Sequence, residues 1–296
     1  MSRLFNRKYD LTIIPPGSTE GKVIKDLRIV FKVTKSIIST PNLCEITLYG
    51  INDNTAALLE KKYTNIILNA GYESKVRLIY KGQIKNTFIS KSGTEHTAAI
   101  YCGDGEAAWE SAIFNKTIAS NVTIKSAIKD IVSTFSNVAQ EASKVIEGDT
   151  SALDSITDRL EPQTLIGSSK DILDKMAKDY GFEWSIQDSE VVILNEEQTL
   201  ADAQAILIRA DTGMIGSPTI TEIGADVVTL LNPDALPNKL IKIESASQDV
   251  AIQNAALRPI RRTKAEGLYK ILEVVFSGDS RGDMWQSQIK GRLING

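Results

Sequence analysis

Apolar and polar residues alternate with a period of two along most of this chain, in runs broken by Gly, Pro, Asn and Asp. That is the pattern of antiparallel strands with one solvated face. Tyr9 to Pro15 reads as a first strand. Leu27, Ile29, Phe31 and Val33 then alternate with Arg28, Val30 and Lys32, and Pro41-Asn42 turns the chain so that Cys44, Ile46 and Leu48 share one face of the next strand. Asn52-Asp53-Asn54 supplies capping side chains for a short helix, Thr55 to Lys61, with Ala56, Leu58 and Leu59 facing a sheet. Ile66, Leu68 and Ala70 form another strand, and Val76, Leu78 and Tyr80 continue. Lys81-Gly82 reads as a tight turn into Gln83 to Ser90, and Ser92-Gly93 as a turn into His96 to Cys102. Six or seven strands and one short helix within about a hundred residues predict a closed or split β-barrel.

The period changes after Gly105. Ile124, Ala127, Ile128, Ile131, Val132 and Phe135 recur at helical spacing, which predicts an amphipathic helix from Thr123 to about Phe135. Ala139 to Ile146 continues as a second helix. Ser168 or Ser169 caps a helix in which Ile172, Leu173, Met176 and Tyr180 form a stripe, ended by Gly181. Phe182 to Ile186 and Glu190 to Leu194 make a tight hairpin around Gln187-Asp188-Ser189. Alternation returns at Ala205 to Arg209. Past the turn-rich phrase Met214-Ile-Gly-Ser-Pro218 come a strand pattern, Leu230-Leu-Asn-Pro233, the strand Lys239 to Ser245, and a final hairpin of Tyr269 to Phe276 and Met284 to Ile289.

The two β-rich ends echo each other. Ala57-Leu58-Leu59 and Asn65 to Ala70 match Thr229-Leu230-Leu231 and Asn238 to Ile243; Gly82-Gln-Ile-Lys matches Tyr269-Lys-Ile-Leu. The fold class is therefore mainly β with an α+β insertion: two similar β-barrel domains, 1–105 and 205–296, joined by a helical linker region, 106–165, and a small α+β domain, 166–204.

Composition narrows the function. Apolar residues are 42% and charged residues 24% of 296, and the net charge is −3 with both signs well mixed. That is an ordinary globular composition without the clustered cations of a nucleic-acid face, so no sequence-specific nucleic-acid binding is expected. No window approaches the roughly 20 apolar residues of a membrane span, and no signal peptide is visible. Two cysteines, Cys44 and Cys102, make neither a disulfide framework nor a metal site.

The ordered phrases Ile215-Gly-Ser-Pro218, Leu230-Leu-Asn-Pro233, Tyr269-Lys-Ile-Leu272 and Ser277-Gly-Asp-Ser-Arg-Gly-Asp-Met-Trp285 resemble the baseplate hub proteins of contractile-tailed bacteriophages, related to the late control protein D group. The segments Leu27 to Val33, Pro41 to Gly50, Cys102-Gly-Asp-Gly105 and Glu161 to Leu194 extend the resemblance over almost the whole chain. It implies tail-tube-like barrels and a homotrimer that adapts a sixfold tail tube to a threefold spike, because two similar units in each of three copies present six. It also implies a spike protein, a tube or tube-initiator protein, the tape measure and wedge proteins as partners, a place in the virion tail baseplate after assembly in the host cytoplasm, and no enzyme activity. The chain carries no needle repeat or lysozyme-like extension, so the spike is expected to be a separate polypeptide. The hub of a phage-derived injection machine, a cell-wall hydrolase and a carbohydrate-binding β protein are the competing readings.

No residue marks a catalytic, cofactor or metal site. His96 is the single histidine and reads as a barrel-wall residue; no Gly-x-Ser-x-Gly elbow flanks a serine. Cys44 and Cys102 read as small core residues. Pro15 to Lys22 falls one residue short between its glycines for a phosphate-binding loop, and Val23 stands where a hydroxyl is needed. Asp202 and Glu196-Glu197 sit in a polar linker. Arg281-Gly-Asp283 is turn chemistry. Asn115-Lys-Thr117 and Asn121-Val-Thr123 fit glycosylation sequons in a chain without a secretion signal. Arg258, Arg261, Arg262 and Lys264 form the densest basic cluster, read as a solvated loop, with a subunit contact or a lumen-facing patch as the alternative.

Overall fold

The structure is a computed structural model and describes residues 6–92, 95–138, 145–196, 198–200, 204–247, 249–250 and 265–294. The first part runs β1 (Arg7–Ile14), β2 (Lys22–Ile24), β3 (Arg28–Ser36), β4 (Leu43–Ile51), α1 (Asp53–Leu59), β5 (Asn65–Tyr72), β6 (Lys75–Ser92) and β7 (Glu95–Gly103). Asn52 caps α1 as expected, its side chain accepting from Thr55 N. The turn expected at Lys81-Gly82 does not form; β6 runs straight through it. A Cβ at Gly82 would lie 2.3 Å from Tyr80 Oη and 2.7 Å from Gly103 O, so the glycine serves close approach.

The middle part runs α2 (Glu106–Ser111), β8 (Ile113–Ile118), α3 (Ile124–Val138), β9 (Ile146–Glu147), β10 (Gln163–Ser168), α4 (Ser169–Tyr180), β11 (Glu183–Gln187) and β12 (Glu190–Leu194). Gly181, at φ 71°, ends α4 in the left-handed conformation a side chain disfavours. Of the expected helix over Ala139 to Ile146, residues 139–144 lie outside the described residues, and Ile146 is in β9.

The last part runs β13 (Ile206–Ile208), β14 (Met214–Ile220), β15 (Gly224–Leu230), β16 (Leu240–Ile243), β17 (Asp249–Val250), β18 (Gly267–Asp279) and β19 (Trp285–Leu293). The phrase Met214 to Pro218 lies inside β14 with an irregular register, not before it.

Both ends build one 14-stranded sheet of order β17-β14-β15-β19-β18-β3-β4-β7-β6-β5-β1-β2, with β16 on β18 and β13 on β16. Two similar β-barrel domains, closed or split, are expected from the sequence; the described strands form one large sheet that closes into no barrel. β18 is long enough to pair β16 with its first residues and β3 with its last, so it joins the two ends where a barrel would close on itself. One apolar cluster, from Tyr9 to Ile289, serves both ends; a second, from Ala108 to Ile193, serves the middle part.

Within that sheet the strand registers repeat. Ile66↔Gly82, Ile84↔Cys102, Ile46↔Ile100 and Lys32↔Glu45 in the first part correspond to Ile241↔Tyr269, Ile271↔Gly291, Val227↔Ile289 and Thr219↔Asp226 in the last. A register shift follows Ile84 in β6 and Ile271 in β18. Tyr63 and Asn238 share positive φ values of 61° and 66°, and their N–H groups donate to Ile84 O and Ile271 O. The order β3-β4-β7-β6-β5 is thus repeated as β14-β15-β19-β18-β16. The structural match places Asn238 with Tyr63 rather than Asn65, and Thr229 with Leu48 rather than Ala57. The outermost strand differs: β1 runs antiparallel to β5, and β13 parallel to β16.

Candidate interaction surfaces

Two joints stand out among the described residues, and one face of the sheet is turned away from its core. The joint between the repeated units is the β18–β3 ladder, from Glu273↔Ser36 to Asp279↔Val30. Gly278 faces Phe31 there, and a Cβ on it would lie 2.4 Å from the Phe31 ring. Phe31 meets Trp285 edge to face at 5.3 Å, and Trp285 Nε1 donates to Gly71 O at 3.1 Å. Arg28 Nη2 donates to Asp279 Oδ2 at 2.7 Å, and this bond holds the Asp279 carboxyl below its usual range. Asp234 adds a further link by accepting from Lys75 and Arg77.

The joint between the middle part and the sheet is polar and centres on the β11–β12 hairpin. Asp188 and Ser189 occupy its tip with φ 53° and 72°, and Asp104 accepts from both of their N–H groups, at 2.6 and 2.9 Å. The Asp188 carboxylate accepts from buried Lys35 and from Lys81 N. Burial, reinforced by the nearby Asp188 charge, pushes Asp104 up to about 7. Asn42 Nδ2 donates to Ile186 O at 2.8 Å, and Gln187 Nε2 to Ser36 O at 2.6 Å. The hairpin is legible in sequence; its docking partners are not, because Lys35 and Asp104 are far away along the chain.

The open face is the side of the sheet turned away from the shared core. A cross-strand row runs Gln286, Ser277, Lys32, Glu45, Tyr101. Phe88 is 65% exposed beside Tyr101, with ring centroids 6.0 Å apart. The face is chemically mixed: Lys290 pairs with Glu273 at 2.7 Å, while Leu43, Tyr101 and Phe88 stand exposed on it.

The sequence-marked residues fall apart in space. His96 is in β7, 3.3 Å from Asp53 Oδ1. Cys44 and Cys102 face each other across β4 and β7 as free, buried thiols, and burial raises both. Glu196 pairs with Arg292. The Arg281-Gly-Asp283 turn is latched by Arg7, which donates to the carbonyls of Gly282 and Asp283. Lys22, ending the Pro15 loop, donates to Thr55 Oγ1 at 2.5 Å. Asn115 lies exposed in β8, and Asn121 has φ 68°. Asp202, Glu197, Arg258, Arg261, Arg262 and Lys264 lie outside the described residues. Among the described residues no three His, Cys, Asp or Glu side chains are grouped to hold a metal ion, and no helix is long and apolar enough to cross a membrane.

The sequence profile of a family described as Baseplate hub gp41 matches residues 12–251. No curated protein sequence matches the chain. Among solved structures, the 43 kDa tail protein of prophage MuSo2 from Shewanella oneidensis aligns over 97% of each chain at 12% identity and TM-score 0.60. A tail protein from Neisseria meningitidis MC58 aligns over 97% of each chain at 8% identity and TM-score 0.61. An E. coli protein described as a component of the type VI secretion system aligns over 96% of this chain and 77% of its own, at 13% identity and TM-score 0.58. At these identities the likeness establishes a shared fold.

Proposed function

We propose, from the premise that this chain belongs to the baseplate hub gp41 family, that it is the ring component joining the end of a tail tube to the central spike. The family is one of structural hub proteins, which implies a place in the virion tail and a non-enzymatic role. The work is then done by shape and interfaces: three copies form a ring, the tube or its initiator stacks on one side, and the spike seats on the other. The tape measure and the wedge proteins are the further partners of this reading.

The observation that carries it is the repeated strand order within one chain. Three copies with two like units each offer six like surfaces to a sixfold tube while keeping threefold symmetry for a spike. The open face carries both charge signs, neutral polar groups and a few apolar side chains, which suits the lining of a passage, where a wall strongly charged in one sign would hold whatever moves through it.

Light scattering on the purified protein tests the reading. The expected solution mass is three chains, and negative-stain images should show a threefold ring; a monomer at every concentration overturns it. The hub of a phage-derived injection machine is a second reading, favoured by the type VI secretion component among the structures of like fold. Capsid genes beside the coding gene would decide for a phage.

A further inference from the structure

The middle part carries an open strand edge. β8 and β10 form a sheet of two strands, in the register Ile113↔Ser168 to Ile118↔Gln163. Ser169 N donates to Ala112 O, which makes that position a bonded pair. By alternation Gly167, Leu165 and Gln163 exchange bonds with β8. The N–H groups of Thr164, Ile166 and Ser168 and the carbonyls of Thr164 and Ile166 then point away from it. Among the described residues no strand lies on that side. An unused edge of this kind is a template for one more strand.

The edge is one wall of a groove of about 420 Å³ whose other wall is α4. All of β10 lines it, so the strand's backbone, and not one of its faces, borders the space. A Cβ on Gly167 would meet nothing within 4 Å, so the space continues past the middle of the edge. The two faces beside the edge differ. Ile113 and Ile166 stand 69% and 68% exposed on the outer face, next to the Thr117 and Thr164 hydroxyls in contact at 3.1 Å, and no charged residue of either strand belongs to that face. On the other side half-buried Ile172 and Tyr180 floor the groove, and Asp171, Lys175 and Asp179 stand exposed along its lip. None of these three is in an ion pair with another described residue. They recur every fourth residue, about 6 Å apart along a helix. Alternate residues of a strand recur about 6.6 Å apart, so a strand lying along α4 keeps step with them.

We propose that the β10 edge and α4 form a binding groove for an extended segment of another protein, which adds as a third strand and presents the sequence base-x-acid-x-base to α4, with apolar residues at x. The outward N–H and C=O groups of Thr164 and Ile166 bond its backbone. Its x residues extend the uncharged row of Ile113 and Ile166. Its charged residues lay their stems on Ile172 and Tyr180 and meet Asp171, Lys175 and Asp179 in turn. The pattern reads the same in both directions, so it serves a parallel or an antiparallel strand. The groove is independent of the ring reading, because it needs no second copy of this chain.

Fluorescence anisotropy with labelled synthetic peptides tests this on the full chain. Thr-Lys-Val-Glu-Val-Lys-Thr is the probe, and Thr-Glu-Val-Lys-Val-Glu-Thr its charge-reversed control. The native chain should bind the first about tenfold more tightly than the second at low salt, since three exposed pairs change sign. The triple variant Asp171→Lys, Lys175→Glu, Asp179→Lys alters only exposed side chains and should invert that preference. Ile166→Pro removes one outward N–H and should weaken binding of the first peptide with every charge in place. Equal affinity for both peptides, binding of neither, or a preference that the triple variant does not invert overturns the proposal. Self-association of the native chain that Ile166→Pro abolishes, with neither peptide bound, gives the edge to a second copy and overturns it too.

Discussion

Lys35, buried in β3, places its ammonium 2.5 Å from the Asp188 carboxylate at the tip of the β11–β12 hairpin. Sheet and middle part meet at this pair. Removing the anion leaves a buried cation without its hydrogen-bonded partner, which costs far more than removing the pair altogether. Asp188→Ala should destabilise the chain by about 3–5 kcal/mol, and Lys35→Met with Asp188→Leu should recover most of that loss. Denaturant unfolding of the three proteins checks it; equal losses in single and double variants would refute it.

Asp104 sets a pH dependence at the same joint. Its folded value of about 7 lies above the 3.8 of an ordinary aspartate. As pH rises between those values the unfolded chain releases this proton first. Stability from this group is thus complete below about pH 4 and is lost as pH climbs through about 7. Asp279, Glu110 and Glu147, held low by their partners, act with the opposite sign and at lower pH. Melting temperature measured from pH 4.5 to pH 8 should therefore fall more steeply in the native chain than in Asp104→Asn. Parallel curves would refute this.

Gly278 and Trp285 report on the joint between the repeated units. A Cβ at Gly278 meets the Phe31 ring at 2.4 Å and Trp285 at 2.7 Å, so Gly278→Val must push the β18–β3 ladder apart. Trp285→Ala empties the site that packs Phe31 and should cost about 3–5 kcal/mol. Both variants should lower the unfolding midpoint in urea, while Gly216→Ala, with nothing within 4 Å of its Cβ, pays only the strain of its positive φ.

Cys44 and Cys102 should not react with a thiol reagent in the folded chain. Both are almost wholly buried, and burial holds the thiols protonated. Titration should count no thiols in buffer and two in denaturant; rapid modification of either native thiol would contradict the packing of β4 on β7.

Local patterning set the elements. Alternation marked β1, β3, β4, β7 and β19, the 3.6 period marked α3 and α4, and Gly181 marked where α4 stops, because those signals are written in neighbouring residues. The errors share a cause as well. Gly82 looked like a turn, yet its missing side chain makes room for Tyr80 Oη and Gly103 O, neither of which alternation reveals. The echo was visible in Gly82-Gln-Ile-Lys and Tyr269-Lys-Ile-Leu, but Asn65 and Asn238 were mismatched by two residues, because shared backbone bonds rather than shared letters define the correspondence.

The sequence by itself determined the period of each segment, the α+β interruption between two β-rich ends, and the family resemblance carried by phrases such as Ile215-Gly-Ser-Pro218. Only the tertiary structure decided that the two ends join through β18 and β3 into one sheet over one core, and that Lys35, Asp104 and Asp188 meet. Strand formation follows from local alternation. The choice of neighbour depends on which edges and charges reach each other across more than a hundred residues of chain, and no local pattern encodes that.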